Sequence, residues 1–311
     1  MDRLFGGLKE KNLKFTTKAK TLQKLSGFIK LSQVLPILSF SIDYLKKNKT
    51  KSLKKISDFF IDDFLIIRSS ALNEDTDINS NAGLYESVLN VPRADDKKIL
   101  EAIAKVESSL GTNPKNEIFI QPMLKNMSLC GVAFTADIDT LAPYYIINYD
   151  DKGTPDSVTS GTTGDTKTFI HLKNTKIENS NLIIKELIKV FEELENIFGN
   201  NFLDIEFGVN SNSEIFIFQV RPIVTKNKYN YYDLNIKEPL FKVERKIEKL
   251  SSPHPNLHGD KVIFGVMPDW NPAEIIGVKP RRLSLSLYKE LITDKIWAYQ
   301  RDNYGYLNLR S

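Results

Sequence analysis

The chain has 311 residues, with 43 Lys and Arg against 39 Asp and Glu, which gives a formal net charge of +4 at pH 7. Hydrophobic residues make up 41% and charged residues 26%, so the composition is that of a globular protein and excludes a disordered or fibrous one. The single cysteine, Cys130, excludes an intramolecular disulfide framework.

Patterns for secretion, membrane insertion and nucleic-acid binding are missing from the sequence. The N-terminal residues mix charges of both signs where a signal peptide carries an apolar core. The longest apolar stretches, such as 34–38, fall far short of the roughly 18 residues that span a bilayer. The densest basic run, 46–55, contains no aromatic residue and is typical of a solvated helix flank or loop. We therefore expect a cytoplasmic protein with neither a membrane nor a nucleic-acid partner.

Hydrophobic periodicity predicts mixed helix and strand in the first half of the chain. In chain order, the predicted elements are a helix over 16–27, a strand over 64–67 that ends in a polar turn at 68–70, a strand over 85–91, a helix beginning after Asp95, and strands over 117–124, 129–135 and 143–149. Asp95 is the predicted N-cap of its helix and Gly111 the predicted C-cap.

A second set of elements follows the polar residues after position 150. An apolar stripe ending at Phe198 predicts a strongly amphipathic helix that stops at Gly199. Two strand patterns, 203–209 and 214–223, are joined by a short polar linker and predict a β-hairpin. If that linker is the whole turn, Asp204 lies opposite Gln219.

Strand alternation divides this hairpin into an apolar and a polar face. The apolar face holds Ile205, Phe207, Phe216, Phe218 and Val220, and the polar face holds Asp204, Glu206, Gln219 and Arg221. The polar group suits Mg²⁺ with a polyphosphate: Glu206 and Gln219 supply oxygen ligands, and Arg221 stabilises a phosphoryl group in transfer. The alternative is a solvated sheet face with a surface ion pair. Because Ile215 and Ile217 are expected to cover the polar face in part, its carboxylates need a cation to offset their desolvation.

The chain changes character after position 225. Residues 226–262 are polar and rich in proline, which predicts a linker. Helical patterns at 283–291 and 296–299 follow, and the sequence then stops, so 263–311 is predicted to be the beginning of an incomplete second domain. Residues 1–225 form the predicted first domain, and this division agrees with a prior of about 100–200 residues per domain.

Four ordered motifs resemble the nucleotide-binding domain of the phosphoenolpyruvate synthase and pyruvate phosphate dikinase family. They are IRSSALNED at 67–75 with NAGLYESVLNV at 81–91, IQPM at 120–123, CGVAFT at 130–135, and DIE at 204–206 with QVRPI at 219–223. One such motif is weak evidence, but several in the same order are specific. The resemblance implies an α+β fold of the ATP-grasp type, in which two lobes hold ATP.

The resemblance also implies a reaction. Family members pass the β-phosphoryl group of ATP to a histidine on a separate swivelling domain, release AMP and phosphate, and then phosphorylate their substrate.

The same resemblance implies roles for residues of this chain. Lys18 and Arg68 contact the phosphates, Gly83 lets the backbone approach them because it lacks a Cβ, Gln121 lies at the adenine hinge, and Asp204 joins the ATP-binding group. Structural alternatives are a strand-end arginine paired with a carboxylate, an ordinary turn glycine and a buried strand glutamine.

Two segments narrow the resemblance within the family. Residues 144–161 and 267–277 resemble the L-glutamine kinase branch of capsular polysaccharide phosphoramidate biosynthesis, which phosphorylates the amide nitrogen of L-glutamine. The alternative is a kinase similar to phosphoenolpyruvate synthase that acts on another substrate.

The histidines do not match the family. None of His171, His254 and His258 lies in the setting of the family's phosphorylated histidine, so we expect that domain to be a separate chain or lost by truncation. Three functions stay open: the ATP-binding portion of a dikinase-type phosphotransferase, a nucleotide-binding module without turnover, and an ATP-grasp ligase that releases ADP.

Overall fold

The structure is a computed structural model. It describes residues 12–71, 75–76, 79–80, 86–111, 113–151, 166–177, 181–225, 231–232, 235–253, 260 and 273–303. The chain divides into two compact units, Met1–Leu234 and Asn235–Ser311. Within the described part, no helix is both long and apolar enough to cross a membrane.

The first unit contains two lobes, each built on an antiparallel sheet. The first lobe comprises β1 (Leu38–Ser41), α2 (Ile42–Lys47), α3 (Lys49–Phe59), β2 (Phe64–Ser70), β3 (Asp75–Thr76), β4 (Asn79–Ser80), β5 (Ser87–Pro92), α4 (Asp96–Ser109) and β6 (Glu117–Pro122). Its four-stranded sheet has the order β1-β6-β2-β5, and β3 and β4 form a separate two-stranded ribbon. The basic run at 46–55 forms the end of α2 and most of α3.

Helix α4 shows why the sequence folds as it does in this lobe. The Asp95 side chain accepts a hydrogen bond from the Lys98 main-chain N–H, as a helix N-cap does. The apolar side of α4 is buried, and Gly111 follows the helix with φ of +70°, a conformation that favours glycine. The predicted helix is therefore confirmed, with its C-cap at Leu110 instead of Gly111.

The polar turn predicted at 68–70 is wrong. Arg68 and Ser70 continue β2 and pair with Phe119 and Glu117 of β6. The polar side chains at this end of β2 point to other parts of the molecule instead of solvent, so a polar sequence here does not indicate a turn.

The second lobe contains a five-stranded sheet covered by a long helix. Its elements are α1 (Lys18–Leu25), β7 (Met127–Phe134), β8 (Tyr144–Asp150), β9 (Lys167–Leu172), α5 (Leu182–Phe198), β10 (Leu203–Asn210) and β11 (Ile215–Pro222). The strand order is β11-β10-β7-β8-β9. Helix α5 ends at Gly199, which has φ of +59° and serves as the predicted stop. The α+β class and the two lobes are thus confirmed.

The β10–β11 hairpin forms, but its register differs from the prediction. Asp204 lies opposite Arg221, and Glu206 lies opposite Gln219. A bulge after Glu206 shifts the pairing so that Phe207 lies opposite Ile217. A bulge leaves one residue of the longer strand unpaired and reverses the alternation beyond it.

The reversed alternation exchanges residues between the two faces of the hairpin. Ile215 and Ile217, predicted on the polar face, belong to the hydrophobic core. Phe218, predicted on the apolar face, lines the cleft between the lobes instead. The predicted sorting of these three side chains is therefore wrong, whereas Ile205, Phe207 and Val220 lie in the core as predicted.

A buried ion pair lies in the second lobe, away from the cleft. Lys173 pairs with Glu195, and their side chains are 4% and 10% exposed. The Tyr145 hydroxyl donates to Glu195 Oε2 at 2.9 Å, and the Lys173 ammonium lies 4.7 Å from the Tyr145 ring centroid. Burial raises the pKa of Glu195 and lowers the pKa of Lys173, against their mutual attraction.

Gly131 of β7 occupies a position with no room for a side chain. A Cβ at this position would lie 2.5 Å from the Asn148 main-chain oxygen and 2.8 Å from the Phe207 ring. We expect Gly131→Ala to lower the free energy of unfolding by about 1–3 kcal/mol, because buried neighbours must shift. Gly27→Ala is the control, since the nearest atom to its Cβ lies at 3.6 Å. Urea unfolding of both variants checks this, and equal losses would contradict it.

The second unit is helical where it is described. Its elements are α6 (Lys237–Ser251), α7 (Ala273–Ile276), α8 (Arg282–Tyr288), a π-helical turn (Lys289–Thr293) and α9 (Ile296–Asn303). The helical patterns predicted at 283–291 and 296–299 are confirmed. Helix α6 lies within the predicted linker, and Pro239 is accommodated because it sits in the first turn, where its missing N–H has no helical partner. The division into 1–225, 226–262 and 263–311 stays a prediction.

Candidate functional site

A cleft opens where the chain passes from the first lobe to the second. Residues 123–126 connect β6 to β7, and the cleft lies beside this connection, with about 790 Å³ of space including its mouth. Most of the lining is apolar, and its polar side chains include Arg68, Gln121 and Glu206. The apolar lining residues are Leu35, Ile66, Leu89, Pro122, Met123, Leu124, Met127, Cys130, Phe207 and Phe218.

Arg68 connects the two lobes across this cleft. It extends from β2, and its Nη2 lies 2.9 Å from Glu206 Oε2 of β10. Its Nη1 donates to the Phe218 main-chain oxygen of β11 at 3.1 Å. Its Nε is buried and has no hydrogen-bond partner among the described residues. The guanidinium therefore connects the lobes through its two terminal nitrogens.

Glu206 lies between two cations. Besides Arg68, the Lys18 ammonium of α1 lies 3.6 Å from Glu206 Oε2, and the Glu206 side chain is 22% exposed. Burial alone raises the pKa of this carboxyl, but Lys18 and Arg68 outweigh it and hold the pKa at about 2. Glu206 is therefore ionised at neutral pH.

Asp204 and Arg221 form a second ion pair at the start of the same hairpin. Arg221 Nε donates to Asp204 Oδ2 at 2.8 Å, and Nη2 lies 2.7 Å from the same oxygen. Burial raises the pKa of Asp204, and Arg221 opposes this shift. The expected pairing of Asp204 with Gln219 is replaced by this direct contact.

The two glutamines occupy buried positions. Gln121 lines the cleft from β6, and its Nε2 is buried without a hydrogen-bond partner among the described residues. A buried, unpaired amide donor is costly, and one that faces a cleft favours a ligand with an acceptor. Gln219 lies opposite Glu206 across the hairpin and is also buried.

The oxygen ligands of the hairpin are sufficient for Mg²⁺ only if a bound substrate supplies further ligands. Within the described residues, no cluster of three or more His, Cys, Asp and Glu side chains could hold a metal ion. Magnesium is bound in such sites by one or two carboxylates, waters and substrate phosphates. Glu206 and Gln219, which lie opposite each other in the strand pair, could supply the few protein ligands that such a site needs.

Gly83, predicted to lie at the phosphates, is outside the described residues.

Phe218 is a residue of the cleft that the sequence did not predict. Alternation places it in the core, although its ring lines the cleft and its carbonyl accepts from Arg68. Gly208 was the available signal, because a Cβ there would lie 2.8 Å from the Phe218 ring. An isolated glycine inside a strand indicates a bulge or a close approach of a neighbouring group.

Residues 39–117 match a family model described as the AMP/ATP-binding domain of pyruvate phosphate dikinase. The match runs from the second residue of β1 to the first residue of β6 and includes Arg68. It supports ATP binding by the first lobe. Lys18 and the four polar hairpin residues lie outside the match, so only their geometry connects them with an ATP site.

Several ligases are similar to the chain in structure. The D-alanine-D-alanine ligase from Helicobacter pylori has 16% identity over 66% of this chain and 54% of the ligase, with a TM-score of 0.39. The corresponding ligase from Coxiella burnetii has 9% identity over 72% and 50%, with a TM-score of 0.39. The D-Ala:D-Ser ligase VanG from Enterococcus faecalis has 14% identity over 66% and 51%, with a TM-score of 0.35.

The chain thus spans about half the length of these solved structures. At such TM-scores the similarity assigns neither an activity nor a substrate to this chain. Comparison with curated proteins gives no match.

Proposed function

We propose that the cleft binds ATP together with Mg²⁺, and that the chain is the ATP-binding portion of an ATP-grasp phosphotransferase of the dikinase type. Arg68 carries this proposal. It lies in the segment matched by the AMP/ATP-binding model, and its guanidinium sits in the cleft beside Glu206 and close to Lys18. A mostly apolar cleft lined by Arg68, with Lys18 near Glu206, suits a nucleotide, whose base needs apolar cover and whose phosphates need positive partners.

Each polar side chain has a role in this proposal. Lys18 and Arg68 donate to phosphate oxygens. Gln121 donates its unpaired amide N–H to an acceptor on the base. Glu206 and Gln219 are the residues that would hold Mg²⁺, which would neutralise phosphate charge when bound.

Arg221 acts in the proposal on the phosphoryl group in transfer. Its guanidinium stabilises negative charge that develops on the equatorial oxygens. Asp204 keeps that guanidinium in a fixed orientation through the 2.8 Å contact with Nε. Asp204 therefore serves the ATP site by holding Arg221.

The finer part of the proposal concerns the acceptors. The β-phosphoryl group passes to a histidine of a separate phosphohistidine domain, with release of AMP and phosphate. The amide of L-glutamine is the proposed final acceptor, for phosphoramidate synthesis in a capsule, and another small-molecule acceptor is the alternative. Only the resemblance of 144–161 and 267–277 supports glutamine, and parts of both segments lie outside the described residues.

Calorimetric titration with a non-hydrolysable ATP analogue tests the proposal. The folded chain should bind the analogue with Mg²⁺ and more weakly without it, and Glu206→Ala should remove the Mg²⁺ effect. Glu107→Ala is the matched control, because Glu107 pairs with Lys46 on the first lobe and does not line the cleft. A folded chain that fails to bind contradicts the proposal.

Analysis of the nucleotide product distinguishes the dikinase-type reaction from its alternatives. When a separate phosphohistidine domain of this family is added with ATP, the dikinase type predicts AMP and a phosphorylated histidine. ADP as the nucleotide product contradicts that type. If the chain binds ATP but transfers no phosphoryl group, the result supports a nucleotide-binding module without turnover.

A further inference from the structure

The first turn of α1 lacks a cap of its own. Thr17 is the N-cap residue, but its side chain makes no capping hydrogen bond within the helix. The main-chain N–H of Ala19 donates instead to Ser70 Oγ at 3.1 Å. Ser70 is the last residue of β2 in the first lobe, so a residue 51 positions away supplies the helix cap.

Glu117 makes two further contacts with the same turn. Its Oε2 accepts from the Thr17 hydroxyl at 3.1 Å, and its Oε1 lies 2.7 Å from the Lys20 ammonium. Glu117 lies directly opposite Ser70 in the pairing of β2 with β6. Two neighbouring residues of the first lobe therefore fix the residues on either side of Lys18.

The rest of α1 belongs to the second lobe. Ala19, Leu22 and Leu25 are buried in the core formed with α5, β10 and β11. The Lys18 ammonium reaches Glu206 of β10 at 3.6 Å. Helix α1 is thus packed by one lobe and fixed at its N-terminal end by the other.

We propose that Ser70 and Glu117 are positioning residues for Lys18. Lysine is a point charge on a flexible four-carbon stem, so its effect on a phosphate depends on where the helix holds the Cα. Ser70 and Glu117 restrict that position relative to the first lobe, where Arg68 begins. This inference rests on the proposed ATP site, and it gives the second serine of the IRSS motif a role that needs no contact with ATP.

Two variants of the first lobe test the inference. Ser70→Ala removes the cap acceptor, and Glu117→Leu removes both contacts of the carboxylate. Each should weaken binding of the non-hydrolysable ATP analogue roughly tenfold, in line with the loss of one or two hydrogen bonds. Each should also increase the rate at which an amine-acylating reagent modifies Lys18, measured by mass spectrometry, because Lys18 is buried in the intact chain.

A double-mutant cycle separates positioning from general loss of stability. Thr17→Val removes the hydroxyl that Glu117 accepts, so Thr17→Val combined with Glu117→Leu should weaken analogue binding by less than the product of the two single effects. A purely structural role would lower the denaturation midpoint without changing analogue affinity or Lys18 labelling below that midpoint. Glu107→Leu is the control and should change neither readout.

The outcomes distinguish this inference from the proposed function. If the wild-type chain does not bind the analogue, the ATP site fails, and Lys18 labelling still tests the positioning. If the wild-type chain binds and both variants bind equally well with unchanged Lys18 labelling, the positioning role is overturned while the ATP site stands.

Discussion

Replacing Lys173 by methionine should lower the free energy of unfolding by about 3–5 kcal/mol, because removal of one partner leaves the other charge buried and unpaired. The remaining partner, Glu195, is only 10% exposed, and the hydroxyls of Tyr145 and Thr135 that stay beside it are neutral donors. Burial already raises the pKa of Glu195, and without Lys173 that shift should grow. Chemical denaturation followed by circular dichroism measures the loss.

Two control variants show whether the buried charge is the cause. Lys173→Met combined with Glu195→Gln replaces the pair by neutral groups of similar size and should recover most of the loss. Lys189→Met changes the same residue type in an exposed pair with Glu186 and should cost less than about 1 kcal/mol. Equal losses from Lys173→Met and Lys189→Met would show that the Lys173 pair contributes no more than a surface contact.

Local sequence signals predicted the helices and strands that depend on their own residues. The Asp95 cap, the apolar stripe of α5 and the positive φ of Gly199 are local features, and the structure has all three. Strand β1 escaped prediction, because it has only four residues. A short or exposed strand lacks the apolar alternation by which a strand is recognised.

The register of the β10–β11 hairpin could not be predicted from local sequence signals. Counting back from a four-residue turn assumes regular pairing, whereas the structure pairs Val209 with Ile215, which makes the turn one residue longer, and adds a bulge after Glu206. The bulge moves Phe218 to the cleft and Ile217 to the core. Because a bulge depends on how β10 and β11 pack with the rest of the lobe, alternation in one strand does not reveal it.

The candidate site was predicted in composition and only partly in geometry. The sequence placed Asp204, Glu206, Gln219 and Arg221 in one group, and the structure brings them together in two facing pairs. The family resemblance placed Arg68 at the same ATP site, but it did not predict the direct contact between Arg68 and Glu206, which lie 138 positions apart. Such contacts depend on how the lobes pack, which no local pattern encodes.

Glu206 should make the stability of the first unit depend on pH. Its pKa in the folded chain is about 2 against an ordinary value of 4.5. A lowered carboxyl pKa stabilises the fold above the ordinary value, and this stabilisation is lost as pH falls from about 4.5 towards 2. The shift corresponds to about 3 kcal/mol at neutral pH. The pKa of Asp204 is raised, so Asp204 changes stability with pH in the opposite direction. A mutation is therefore needed to measure the contribution of Glu206 by itself.

Glu206→Gln isolates this contribution, since Asp204 and Arg221 stay in place. At pH 7 the free energy of unfolding of the variant should be about 3 kcal/mol lower than that of the wild type, because Lys18 and Arg68 lose their shared carboxylate. The difference should shrink steadily as the pH of the denaturation experiment falls from 4.5 towards 3. Glu107→Gln makes the same change in the more exposed pair with Lys46 and should cost less than about 1 kcal/mol at each pH. A Glu206→Gln deficit that does not change with pH would mean that Glu206 stabilises the cleft through shape or hydrogen bonding instead of charge.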